Sequence, residues 1–115
     1  MRLLRLGNLI RNEVADVLRK KLDDHRIGFV SITGVELSPD MKYAKIYYSQ
    51  FGSEAEKKKT SKALFRATGF IKYEVGKVIN LKIMPEFEFK YDDSLEKGSS
   101  LVDKIYEIEK SEADE

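Results

Sequence analysis

The side chains of this chain that could do chemistry are cations and aromatics rather than catalytic groups. Lys57, Lys58, Lys59, Lys62, Arg66, Lys72, Lys77 and Lys82 gather around the small-residue tripeptide Ala67-Thr68-Gly69. Such side chains neutralise phosphates and release counterions, which makes the resulting binding steeply salt-dependent. Arg66 and Lys72 flank the tripeptide, where small residues would let a phosphodiester backbone come close. The alternative is that Gly69 only lets a helix bend, and that the lysine run at 57–59 is a solvated helix face. A second set lies at Tyr43, Lys45 and Tyr47, which alternate along one strand face. That face could stack bases while the lysine meets phosphate, or it could be ordinary cross-strand packing of exposed tyrosines. Arg2, Arg5 and Arg11 near the start would extend a basic surface.

Other chemistries lack their residues. With no cysteine in 115 residues, there is no disulfide, no thiolate–zinc site and no thiol nucleophile. His25 is the single histidine, and Asp23 and Asp24 beside it make a poor metal site, so the segment reads as a loop turn. Asp92 and Asp93 are adjacent, which on a strand points them to opposite faces, and no base accompanies them. No phosphate-binding glycine motif, Ser-His-Asp set or His-x-x-x-His pair is present. The expectation is a protein that is not an enzyme, with no cofactor, no metal and no small-molecule substrate. No run approaches the roughly 18 apolar residues of a membrane span, and Arg2 and Arg5 interrupt the only segment placed to act as a signal peptide. A cytoplasmic protein with no membrane partner is expected. The net charge of +1 conceals a split: residues 1–90 hold 18 Lys+Arg against 11 Asp+Glu, and residues 91–115 hold 3 against 9. A basic body with an acidic tail suits contact with polyanions, or the tail merely aids solubility.

The elements that must position these residues follow from periodicity. Leu3, Leu6, Ile10, Val14, Val17, Leu18 and Leu22 recur at helical spacing and predict an amphipathic helix over 3–22. Residues 29–38 predict a strand whose apolar phase slips at Gly34, the signature of a β-bulge. Ser38-Pro39-Asp40 predicts a turn, and Tyr43 to Phe51 a second strand, completing a hairpin. Ser53-Glu54-Ala55-Glu56 is a capping box that opens a helical pattern running to about Asn80. Leu64, Ala67, Ile71, Val75 and Val78 hold one face of it. Gly69 and Gly76 sit inside, each costing about 1 kcal/mol relative to alanine, which predicts a kink or a very close contact. After Pro85 a third strand alternates Phe87, Phe89 and Tyr91 inward with Glu86, Glu88 and Lys90 outward. A last helix containing Leu101, Ile105 and Ile108 and a disordered end from Ser111 to Glu115 complete the chain.

This order resembles the KH domain of bacterial-type topology. Ser31-Ile32-Thr33-Gly34-Val35-Glu36-Leu37-Ser38-Pro39-Asp40, Ala67-Thr68-Gly69-Phe70, Pro85-Glu86-Phe87 and Tyr91-Asp92-Asp93-Ser94-Leu95 together resemble the ribosome-binding factor A family, over about residues 2–108. The resemblance implies an α+β, KH type II-like fold of order α-β-β-α(kink)α-β, with a three-stranded sheet covered on one face by helices and a short C-terminal helix. Residues 1–97 would form the RNA-binding domain and 98–115 the C-terminal helix and acidic tail. It further implies a bacterial assembly factor that binds the small (30S) ribosomal subunit or its precursor. Such a factor assists late maturation of 16S rRNA without catalysis, is associated with growth in the cold and acts as a monomer. One departure stands out. KH domains clamp the nucleic-acid backbone with a Gly-x-x-Gly loop; this chain has none, and Ala67-Thr68-Gly69 takes its place. The expected RNA-binding residues are Arg5, Arg11, Lys45, Lys62, Arg66, Ala67, Thr68, Gly69, Lys72 and Lys77. The competing function is a protein-interaction adaptor that uses the exposed sheet face or edge.

Overall fold

A computed structural model describes residues 2–22 and 30–94. The expectations for His25, for the last helix and for the acidic tail lie outside those residues. Helix α1 (Arg2–Lys20) presents Ile10, Val14 and Val17 to the core with almost no exposure, and Leu3, Leu6 and Leu18 pack partly buried beside them. Strands β1 (Val30–Leu37) and β2 (Tyr43–Gln50) form an antiparallel hairpin, and β3 (Glu86–Tyr91) lies parallel to β2, giving the order β1-β2-β3. A parallel pair needs a crossover, and helix α2 (Glu54–Val78) supplies it. The core therefore joins one face of the sheet, carrying Val35, Leu37, Ala44, Ile46, Tyr48 and Phe87, to both helices. Each fully buried side chain such as Ile10, Ile46, Leu64 or Ile71 contributes about 1.5–3 kcal/mol.

The phase slip in β1 is a bulge. Pairing passes from Ile32↔Tyr48 to Gly34↔Tyr47, leaving Thr33 as the extra residue. This is what lets Ile32 and Val35 both turn toward the helices. Thr33 in turn donates its hydroxyl to Asp92 Oδ2 at 2.6 Å, linking β1 to the end of β3. In the hairpin loop, Met41 N–H donates to the Ser38 carbonyl at 2.8 Å and Met41 takes φ 61°. The Asp40 carboxylate accepts from Ser38 Oγ (2.6 Å) and from the Lys42 N–H (3.0 Å), and these bonds hold its pKa below the usual carboxylate value.

One expectation is corrected. Residues 54–78 form a single α-helix, so Ala67-Thr68-Gly69 lies inside α2 rather than in a break between two helices. Leu64, Ile71 and Val75 are fully buried on either side of the tripeptide, and their packing outweighs a glycine penalty of about 1 kcal/mol. The start of α2 is the capping box read from the sequence: Ser53 Oγ accepts from the Glu56 N–H at 3.2 Å, and Glu56 Oε1 accepts from the Ser53 N–H at 3.2 Å. At the other end Val78 is 56% exposed instead of holding the apolar face, and Ile79, 8% exposed, occupies the core in its place.

Candidate nucleic-acid interface

With Leu64, Ile71 and Val75 turned inward, helical spacing sends Lys58, Lys62, Arg66, Gly69, Tyr73 and Gly76 outward along one stripe of α2. No acidic residue occurs from Lys57 to Tyr73. Lys62 and Arg66 are exposed, and among the described residues neither enters an ion pair. Three aromatic rings of α2 are exposed, Phe65 at 82%, Tyr73 at 64% and, less so, Phe70 at 42%. Below Gly69 the surface dips into an open groove of about 460 Å³ lined by Gly69, Lys72, Tyr73, Gly76, Lys77 and Met84. Lys77 Nζ lies 4.7 Å from the Tyr73 ring centroid.

The ten expected site residues do not form one surface. Lys62, Arg66, Gly69, Lys72 and Lys77 share α2, but they differ in availability. Lys72 Nζ is 2.8 Å from Glu86 Oε1 on β3, and Lys77 Nζ is 3.4 Å from Glu74 Oε2. The Glu74 carboxylate also accepts from Lys21 at 3.1 Å, and this bond is the main reason its pKa is lowered. Within the tripeptide, Ala67 packs partly buried against the core, and the Thr68 hydroxyl donates to the Leu64 carbonyl at 2.7 Å. Gly69 alone is exposed, and a Cβ added there would meet nothing within 4 Å. Arg5 and Arg11 belong to α1. Lys45 is on the sheet face turned away from both helices, beside Tyr43 and Tyr47 as expected, but its register partners are Glu36 on β1 and Glu88 on β3.

Comparison with known proteins bears on what this arrangement serves. The family model described as ribosome-binding factor A matches residues 2–105. The chain belongs to the ribosome-binding factor A family. A ribosome-binding factor A from Halothermothrix orenii is 41% identical over 114 residues, covering 96% of this chain and 93% of that protein. Among solved structures, the chain is similar to a Thermotoga maritima protein described as a candidate ribosome binding factor A. That likeness has a TM-score of 0.68 at 35% identity, covering 75% of this chain and 82% of the other. It also shares its fold with a homology model of Thermus thermophilus ribosome binding factor A that was fitted into a cryo-electron microscopy map of a complex with 30S. There the TM-score is 0.66 at 21% identity, covering 79% of this chain and 96% of that one.

In this ribosome-binding factor A domain, sequence reasoning missed Phe65 and Tyr73 as parts of the exposed stripe. Each stands four residues from Gly69, about one helical turn away on either side, and that spacing was available as a signal. It missed the Lys72–Glu86 pair because that contact depends on how the crossover helix meets the strand it feeds. Among the described residues, no group of three or more His, Asp or Glu is placed to hold a metal, and no helix is long and apolar enough to cross a membrane.

Proposed function

We propose that this chain is a non-catalytic assembly factor of the small ribosomal subunit, and that the outer stripe of α2 is its RNA-binding surface. The observation that carries the site is Gly69. A glycine in mid-helix costs about 1 kcal/mol relative to alanine, yet here its Cβ position is open space and its φ is not positive. Among the described residues nothing requires the glycine, so we place the requirement outside: a backbone that approaches closer than a Cβ would allow. Lys62 and Arg66, which enter no ion pair among the described residues, stand where phosphates of that backbone would lie, and Phe65 and Tyr73 offer rings for unstacked bases. The family membership and the 30S complex of the Thermus thermophilus relative support the small subunit, or its precursor with 16S rRNA, as the target.

On this reading the fold is KH type II-like in topology, but a continuous helix surface replaces the Gly-x-x-Gly loop. The factor works in the cytoplasm as a monomer. It assists late 16S rRNA maturation by binding one conformation of the particle better than another. Engagement of Lys58, Lys59, Lys62 and Arg66 with one phosphate each gives a log–log salt slope of about −3. Co-sedimentation with purified small subunits across a salt series measures it. A slope near that value, with enrichment on free small subunits over whole ribosomes, supports the proposal; a nearly flat slope overturns it.

A further inference from the structure

We propose that the open face of the sheet is a second docking surface, that its occupant is an extended, arginine- or lysine-rich protein segment, and that RNA is excluded from it. Both helices lie on the other face, and among the described residues nothing covers this one: Tyr43 is 60% exposed. The register sets the composition of the face in rows. Tyr43 stands beside Glu86, Lys45 stands between Glu36 and Glu88, and Tyr47 stands beside Lys90, with Asp92 at the end of the last strand. Glu86 is taken up by Lys72 of α2 at 2.8 Å, which leaves Glu36, Glu88 and Asp92 against Lys45 and Lys90, with Lys90 paired to Glu88 at 3.3 Å. Glu36 accepts the Tyr47 hydroxyl at 3.1 Å. Burial and the neighbouring carboxylates of Glu36, Glu88 and Asp92 push that hydroxyl's pKa up to about 12.

A phosphodiester backbone meets net negative charge here, the reverse of what it meets on α2. A guanidinium finds complementary groups, because it pairs with carboxylates in a planar fork and stacks on aromatic faces. Tyr43 and Tyr47 supply such faces along β2, with Glu36 and Glu88 on the flanking strands. The size of the face narrows the occupant further. Three strands span about 10 Å between outer axes, and the six paired residues of β3 run about 20 Å, which is the footprint of one extended segment rather than of a globular partner. The surface touches α2 only through the Glu86–Lys72 pair, and the substitutions below leave that pair alone, so failure of this proposal would leave the RNA-binding proposal intact.

The test uses the full chain, isotopically labelled for amide NMR. The probes are a short peptide alternating arginine and glycine, its aspartate counterpart, and a single-stranded oligouridylate. The expected result is that the basic peptide shifts the amides of Tyr43 to Ser49 and Glu86 to Lys90, while the acidic peptide and the RNA leave them unmoved. The double substitution Glu36→Gln/Glu88→Gln should weaken peptide binding about tenfold, and Tyr43→Ala, at an exposed ring, should weaken it without altering the melting curve. Oligouridylate binding should be unchanged in both variants. Shifts confined to the acidic residues 95–115, peptide binding insensitive to the substitutions, or RNA shifts on the open face would each overturn the proposal.

Discussion

Replacing Gly69 with alanine separates the needs of the fold from those of the partner. Gly69 lies inside α2, its Cβ position has no neighbour within 4 Å, and its backbone angle is open to any residue. Alanine therefore brings no clash, and it removes the entropic penalty of glycine in a helix interior, about 0.5–1 kcal/mol. For a domain of this size that gain corresponds to a rise in melting temperature of about 2–8 °C. The same methyl group sits where the RNA backbone is proposed to approach, and small-subunit binding should fall by about tenfold. Thermal unfolding by circular dichroism and co-sedimentation with small subunits read the two effects on one preparation. Gly76→Ala is the internal comparison, since its added Cβ would make an ordinary 3.6 Å contact with Met84 Cγ. A Gly69→Ala protein that is more stable and binds normally would refute the close-approach reasoning. A less stable one would mean that the glycine serves the fold after all.

Three further outcomes follow from the geometry. Gly52→Ala should destabilise the domain by about 1–2 kcal/mol in urea unfolding, because Gly52 has φ 148° and its Cβ would lie 3.1 Å from Glu56 Oε2, in the capping box of α2. Burial raises the Asp92 pKa, but hydrogen bonds from Ser94 and Thr33 more than offset this, so the folded value lies below the ordinary one. The stability it contributes is therefore present above the unfolded pKa of about 3.9 and is lost as the pH falls through the depressed folded value. Thr33→Val should move the acid-unfolding midpoint, followed by fluorescence or circular dichroism, to higher pH. Glu86→Gln should release Lys72 beside Gly69 and tighten small-subunit binding severalfold. It should barely change stability, since an exposed pair of this kind contributes about 0–1 kcal/mol.

Much of the fold was legible because it rests on local signals. The phase slip at Gly34 gave the bulge, Ser53 and Glu56 gave the start of α2, and the alternation of Phe87, Phe89 and Tyr91 gave the third strand. Gly69 misled as a break because glycine's penalty is a property of the residue, whereas helix continuity is decided by the burial of Leu64, Ile71 and Val75. Within the site, the stripe of Lys62 and Arg66 could be read from helical spacing alone. The isolation of Lys45 could not. Glu88 reaches it only through the parallel pairing of β2 and β3, which joins residues far apart in the chain, and Lys72 is neutralised by Glu86 for the same reason. Local periodicity places a charge on a face; tertiary register decides what stands beside it.

The central claim is that Lys62 and Arg66 meet the RNA of the small subunit. The most direct measurement is co-sedimentation of a Lys62→Glu/Arg66→Glu protein with purified small subunits at low salt, on material whose melting curve matches the unmodified domain. Both residues are exposed and without ion-pair partners among the described residues, so the fold should persist. The account predicts that the doubly reversed protein stays at the top of the gradient, away from the particles. Normal co-sedimentation of that folded variant would contradict it.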